Sequence, residues 1–323
     1  MTILAGCGGN AGQGDPATPP EDYRTQVQAW RDTHEADYRR DFVTIAGLHF
    51  LEPGTHTIGS ARANDIVLEA AVPPVIGRLT VADERVHFAA AEGVAVSHKG
   101  QRLTAPAVLK EPGSRPTEGV VVGAVSLVVH VTGDRLALRV RDPDGELARA
   151  FAGFSWFPID PGYRVIGRFI RDAEPRKLPV MNTFNMVDLY DSEGVVEFAL
   201  HGQTLRLRPF TTRPKRFYIV LRDASSGTET YEAARFLYAD LLDDGTTVLD
   251  FNQAYNPPCA FNRYTTCPIP LKENVLPVKI LAGEKAYAGG STKPRLDGSE
   301  ARSDLVGPTF QVGRARLRAG SSY

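Results

Sequence analysis

The chain has 323 residues, with 37 basic and 38 acidic side chains for a net charge of -1, a balance that excludes the concentrated positive field nucleic-acid binding depends on. Hydrophobic residues at 42% and charged residues at 23% exclude general disorder and leave enough apolar mass for a sizeable core. The length suits two modest domains, and no apolar run approaches the ~20 residues of a membrane-spanning helix. With 30 glycines and 23 prolines, short strands and turns are favoured over long helices.

Leu4-Ala5-Gly6-Cys7 has the order of a bacterial lipobox: an apolar residue, two small ones, then the cysteine that receives the lipid. Gly8 to Pro16 has the composition of a flexible tether. Residues 1–17 are therefore read as a lipobox remnant with its tether, the protein as extracytoplasmic, and the membrane as a partner only through a lipid on Cys7. Six residues precede Cys7, fewer than the basic start and ~7–15 apolar residues of a signal peptide. Either translation begins upstream of Met1 or the tetrapeptide is accidental, in which case the protein is cytoplasmic.

Thr18-Pro19-Pro20-Glu21 predicts a helix start, with a threonine N-cap, proline in the first turn and a capping-box glutamate. Tyr23, Val27, Trp30, His34, Tyr38 and Phe42 recur at i+3/i+4 and predict an amphipathic helix of about five turns laid against the first domain. His34 on that stripe reads as a packed side chain, not a ligand. From Gly47 to Asp144 the period becomes two. Short strands are predicted at 55–58, 65–68, 79–81, 86–89, 94–97, 120–122, 126–131 and 136–140, with turns at 132–134 and 142–145. Close-set short strands imply a β-sandwich or barrel within residues 18–145.

Thr57-Ile58-Gly59-Ser60, Asn64-Asp65-Ile66-Val67-Leu68 and Lys99-Gly100-Gln101-Arg102-Leu103 resemble the motifs of the forkhead-associated domain, a β-sandwich. The resemblance covers the first half and fails at the phosphothreonine-reading positions. Ser60 replaces the arginine, Gly77-Arg78-Leu79-Thr80 replaces Ser-x-x-His, and Lys99 replaces the turn asparagine. Too few charge-assisted donors remain for a phosphate, so the shape is expected without phosphopeptide reading.

Residues 146–287 predict a second antiparallel β domain, with strands at 163–169, 195–200, 204–207, 217–221, 235–239, 247–251 and 277–281 and a tight hairpin at His201-Gly202-Gln203. From Ala288 the Gly/Ser/Arg-rich chain lacks periodicity, predicting a surface or partly disordered tail (288–323). The fold expected is thus mainly β: an N-terminal helix, a forkhead-associated-like β-sandwich and a second antiparallel β domain.

The densest polar and aromatic run extends from Leu249-Asp250-Phe251-Asn252 through Tyr255-Asn256-Pro257-Pro258-Cys259 and Tyr264 to Cys267, with Glu284 beyond. Asn256 before two prolines is forced towards extended geometry, and a stiff loop of this kind suits a pre-organised site. The competing reading is a plug whose amides and hydroxyls satisfy an irregular backbone. Cys259 and Cys267, with seven residues between them, suit a disulfide or two buried thiols, and their spacing argues against a metal site. A nucleophilic cysteine needs a base, and no histidine follows His201.

This run, with Trp156-Phe157-Pro158-Ile159-Asp160 and Arg222-Asp223 to Tyr231 and Arg235-Phe236-Leu237, resembles the signature of the prokaryotic domain-of-unknown-function family sixteen-eighty-four. The resemblance implies a fold and no activity. On the residues themselves, Arg222, Tyr231, Arg235, Asn252, Tyr255, Asn256 and Tyr264 are the candidate ligand-binding set. Asp250 and Glu284 are a candidate acid–base pair, since burial can separate two carboxylate pKa values. Salt bridges from Asp223 or Glu229 to Arg235 account for the charged residues more simply. No nucleotide, hydrolase-elbow, zinc or calcium motif is present, and no cofactor or metal is expected. The function expected is that of an envelope lipoprotein binding a small molecule or glycan in the C-terminal β domain. The alternatives are a glycan or ester hydrolase and a structural envelope protein.

Overall fold

The computed structural model describes residues 19–289 apart from 117, 133 and 134. Cys7, Thr18 and the tail from 290 lie outside these residues. Helix α1 (Tyr23–Tyr38) starts at Asp22 with no side-chain cap and runs into a π-helical turn, Arg39–Val43. The periodic stripe is present as expected. It packs, however, on the second half of the chain: Tyr23 bonds Asp250, and Arg31 donates to the carbonyls of Phe157 and Asn252. The helix therefore belongs with the C-terminal half and not with the sandwich that follows it in sequence.

The sandwich comprises β1 (Ile45–Phe50), β2 (Gly54–Gly59), β3 (Ile66–Val67), β4 (Gly77–Ala82), β5 (Arg85–Ala90), β6 (Ser97–His98), β7 (Gln101–Arg102), β8 (Ala107–Lys110), β9 (Val120–Val122), β10 (Val125–Thr132) and β11 (Arg135–Arg141). One sheet has the order β1-β11-β10-β9-β6-β7, the other β3-β2-β4-β5-β8. Alternating apolar residues such as Leu79, Val81, Leu127, Val129, Leu138 and Val140 meet between them in one core. The Asp142–Gly145 turn closes by the Gly145 N–H to the Asp142 carbonyl (3.1 Å) and leads to α2 (Glu146–Ala150).

The second half comprises β12 (Arg164–Met181), β13 (Val187–Leu200), β14 (Gln203–Leu207), β15 (Phe210–Arg213), β16 (Arg216–Leu221), β17 (Arg235–Asp240) and β18 (Thr246–Asp250). They form a β14-β13-β12-β18 sheet and a β15-β16-β17 sheet. Leu200 pairs Gln203 across His201 and Gly202, both at positive φ, the geometry of a primed two-residue hairpin. β12 and β13 run far beyond the predicted segments as a long hairpin, interrupted by a bulge between Arg171 and Arg176. The predicted strand at 277–281 does not form. Only an isolated backbone bond forms there, the Ala224 N–H to the Val278 carbonyl (2.9 Å), while Ile280 is met by side chains, its N–H on Asp223 (3.2 Å) and its carbonyl on Arg235 (3.0 Å). Among the described residues no helix is long and apolar enough to cross a membrane.

Candidate functional site

β18 ends at Asp250, whose carboxylate caps the 3-10 turn Phe251–Gln253 by accepting the Asn252 N–H (3.1 Å). The Tyr23 hydroxyl reaches both carboxylate oxygens, at 2.8 and 2.9 Å. Asn252 is wholly buried and fully used. It donates to Tyr23 Oη (2.9 Å) and the Asp160 carbonyl (2.8 Å), and accepts the Asp160 N–H (2.9 Å). These bonds tie α1 and the Asp160 turn to the end of β18.

Pro257 is extended and Pro258 opens a second 3-10 turn, Pro258–Ala260. Just before them, Asn256 gives its backbone N–H to Glu284 Oε2 and its Nδ2 to Oε1, both at 2.8 Å, and Nδ2 also meets the Lys285 carbonyl at 2.7 Å. Neither residue has any exposed surface. Burial pushes the Glu284 carboxyl up to about 8, while the Asn256 donors and the Arg235 charge act in the opposite sense. Arg235, also without exposure, pairs with Asp223 at 3.0 Å and donates to the carbonyls of Ile280 and Ala282. Asn256, Glu284 and Arg235 thus hold the loop to the 278–285 segment, as the plug reading describes.

The remaining candidates divide. Tyr231 is buried and its hydroxyl meets the Cys259 carbonyl at 3.3 Å. Arg222 is exposed, and its main chain is paired with Asn274 and Leu276. Cys259 and Cys267 are buried thiols, with the Cys259 N–H on Cys267 Sγ at 3.4 Å. Burial, and then the neighbouring Cys267, pushes the Cys259 thiol well above its ordinary range.

On either side of the prolines the segment opens on a cleft. The first, about 380 Å³, lies between α1 and the C-terminal sheets and takes its walls from Trp30, Arg216, Tyr238, Asp250, Gln253 and Tyr255. Tyr238 stacks on Tyr255 (6.5 Å, 23°) and on Tyr218 (5.0 Å, 25°), and Arg216 lies 5.0 Å over the Tyr238 ring while pairing with Asp240 at 2.6 Å. The second cleft, about 890 Å³, lies at the junction with the sandwich, between α2, Phe261, Tyr264 and Tyr287. Of the predicted residues, Asp250 and Tyr255 share the first cleft and Tyr264 lines the second. Glu284 and Asn256 line neither.

Sequence reasoning assigned Tyr23 and Trp30 to a packing stripe and gave no role to Arg216, Tyr238, Asp240 or Gln253. These residues come from separate elements, so no spacing links them. One signal was readable: in the predicted strand at 235–239 the ring of Tyr238 stands between the apolar Leu237 and Ala239, which places it on the outward side, where it is 41% exposed.

No curated protein matches the chain. The chain is similar to the uncharacterized protein from gene locus rrnAC0354 of Haloarcula marismortui, solved by solution NMR. The identity is 28%, over 46% of this chain and 85% of that one, with a TM-score of 0.39. Residues 149–285, which hold α2's end, both C-terminal sheets and the whole proline-centred loop, match the family described as a protein of unknown function, DUF1684.

Proposed function

We propose that the protein is an envelope lipoprotein, anchored through Cys7, that binds a small molecule or glycan in the 380 Å³ cleft beside α1. One observation carries this reading: three aromatic rings (Trp30, Tyr238 and Tyr255) converge with Arg216, Asp250 and Gln253 on one opening. Its size falls within the ~300–1,000 Å³ of ligand pockets. Ring faces suit a sugar or aryl ring, and the charged and amide groups suit its hydroxyls. The hydrolase reading needs Glu284 at the same opening, and Glu284 lies sealed behind the loop, so binding is the reading preferred.

The chain has two tryptophans, and Trp30 sits 5.9 Å from Trp156, so ligand entry perturbs the intrinsic fluorescence. Titration with a panel of sugars and metabolites should give a saturable fluorescence change and a rise in Tm, both lost in Tyr238→Ala and Arg216→Ala. A flat response to every compound by both readouts sinks the binding reading. The anchor is tested separately: Cys7→Ser should abolish partition into detergent.

We also infer that the first half keeps a forkhead-associated architecture. Two observations support this: β2 and β3, which carry the motif segments, pair in parallel, and Asp65 accepts both the N–H and the hydroxyl of Thr57 at 2.8 Å. Ser60, where the phosphate-reading arginine would stand, is bonded to the Val72 carbonyl at 2.8 Å, which supports the absence of phosphopeptide reading.

A further inference from the structure

The groups on the wall of the 380 Å³ cleft beside α1 differ in what they have left to offer a ligand. Its charges are already met. Arg216 pairs with Asp240 at 2.6 Å and lies 5.0 Å over the Tyr238 ring. Asp250 is 8% exposed, and both its oxygens accept the Tyr23 hydroxyl, at 2.8 and 2.9 Å. Arg164 is engaged as well. Two neutral polar groups are not. Gln253, half-buried on the 3-10 turn after β18, has an amide that makes no hydrogen bond among the described residues, and neither does the indole N–H of the half-buried Trp30 on α1.

The two kinds of group select in opposite ways. An ion entering at the Arg216–Asp240 pair meets both signs at once. A ligand carboxylate drawn to the guanidinium is repelled by the Asp240 carboxylate beside it, and a ligand ammonium drawn to Asp240 is repelled by Arg216. Attraction and repulsion nearly cancel, while the ion still gives up its water. A ligand hydroxyl escapes this conflict. It donates to the Gln253 amide oxygen, or accepts from the Gln253 amide nitrogen or the Trp30 N–H, and each of these exchanges one hydrogen bond to water for one to the ligand.

Given the binding reading above, on which this rests, we propose that the cleft takes an uncharged, hydroxyl-rich ring, a neutral glycoside. Gln253 and the Trp30 indole N–H are its hydrogen-bonding contacts, and the Arg216–Asp240 pair excludes its charged analogues. Uronic acids and amino sugars share the ring of the neutral sugar and differ by one ionised group. Stacking on an aromatic face therefore does not separate them, and the ion pair does.

The test titrates the full chain with matched sets in the gluco, galacto and manno series: the methyl glycoside, its uronate and its 2-amino analogue. The titrations are run at about pH 6, where the uronate and the amine are both charged, at constant ionic strength, with intrinsic fluorescence and Tm as readouts. In at least one series the neutral glycoside should bind at least about 10-fold more tightly than either ion. Gln253→Ala should weaken the neutral glycoside roughly 5-fold, the loss of one hydrogen bond. Asp240→Asn leaves Arg216 without its carboxylate and should lift the uronate to the level of the neutral glycoside, with the amine still excluded. A uronate or amine that binds the parent as tightly as the neutral glycoside overturns the assignment and leaves the binding reading standing. So does an Asp240→Asn variant that keeps the parent's order of affinities, or an unchanged affinity in Gln253→Ala. No response to any of these compounds overturns the assignment, and the binding reading falls with it only when the wider panel is also flat.

Discussion

Glu284 offers the sharpest test of the architecture, because its two surroundings pull in opposite senses. Burial favours the protonated acid, and the two Asn256 N–H groups at 2.8 Å favour the carboxylate. The balance lies with burial, which raises the group from 4.5 to about 8. The unfolded chain ionises Glu284 near its ordinary value, whereas the native state keeps the proton until about pH 8. Stability is therefore greatest below pH 4.5 as far as this group is concerned and falls as pH rises towards 8. At ~1.36 kcal/mol per unit, the whole span is worth roughly 5 kcal/mol, of which roughly 2–3 kcal/mol is lost between pH 5 and 7. Glu284→Gln does not titrate. Its stability relative to the parent, from urea denaturation at a series of pH values, should rise by that amount over the same interval. Every other titrating group is common to both proteins and cancels in the difference. The amide nitrogen of the variant faces one of the Asn256 donors that Glu284 accepts in the parent, a pH-independent penalty that shifts the difference by a constant and leaves its slope with pH unchanged. Parallel profiles, or a parent that gains on the variant as pH rises, refute the argument that burial dominates.

Three further outcomes follow from the packing. Asn274→Ala removes an acceptor for the Arg208 N–H (2.7 Å) and donors to the carbonyls of Arg208 and Val220 (both 2.9 Å); with buried backbone groups left unpaired, denaturation should show a loss of roughly 2–4 kcal/mol. Gly283→Ala should cost at least about 2 kcal/mol in the same assay. Gly283 has a φ of 78°, and a Cβ there would lie 2.3 Å from the Ala254 carbonyl oxygen. In a Cys7→Ser background, Cys259 and Cys267, 1% and 2% exposed, should react with Ellman's reagent only as fast as the protein unfolds; labelling at the denatured rate in native buffer would contradict their burial.

The mainly β character, most strands and the periodicity of α1 were legible because they rest on local alternation. What the sequence could not show was where α1 docks, since its partners Asp250 and Asn252 lie more than 220 positions away. β1 was missed because Gly47 and His49 break its apolar run, and the outer lengths of β12 and β13 because Asp, Glu, Arg and Lys there match a solvated ribbon. The predicted strand at 277–281 read as apolar and extended, and it is both; it lacks a ladder because Asp223 and Arg235 satisfy its backbone. In the proline-centred loop the residue types pointed to a fixed structure but not to its direction. Asn256 and Glu284 turned out to clasp each other inside, while Tyr255 and Tyr264, two residues before and seven after Pro257, line different clefts.

The hydrogen bond from Tyr23 to Asp250 spans 227 residues, with the entire sandwich between its ends. During synthesis the sandwich strands emerge and can close on one another long before β18 exists, so α1 must wait, its aromatic stripe uncovered, until the last strand arrives. Docking of α1 is then the final step of assembly and the one with the greatest entropic distance to close. Because that same step supplies Trp30 to the cleft, a chain released early would carry a finished sandwich and a cleft lacking one of its walls.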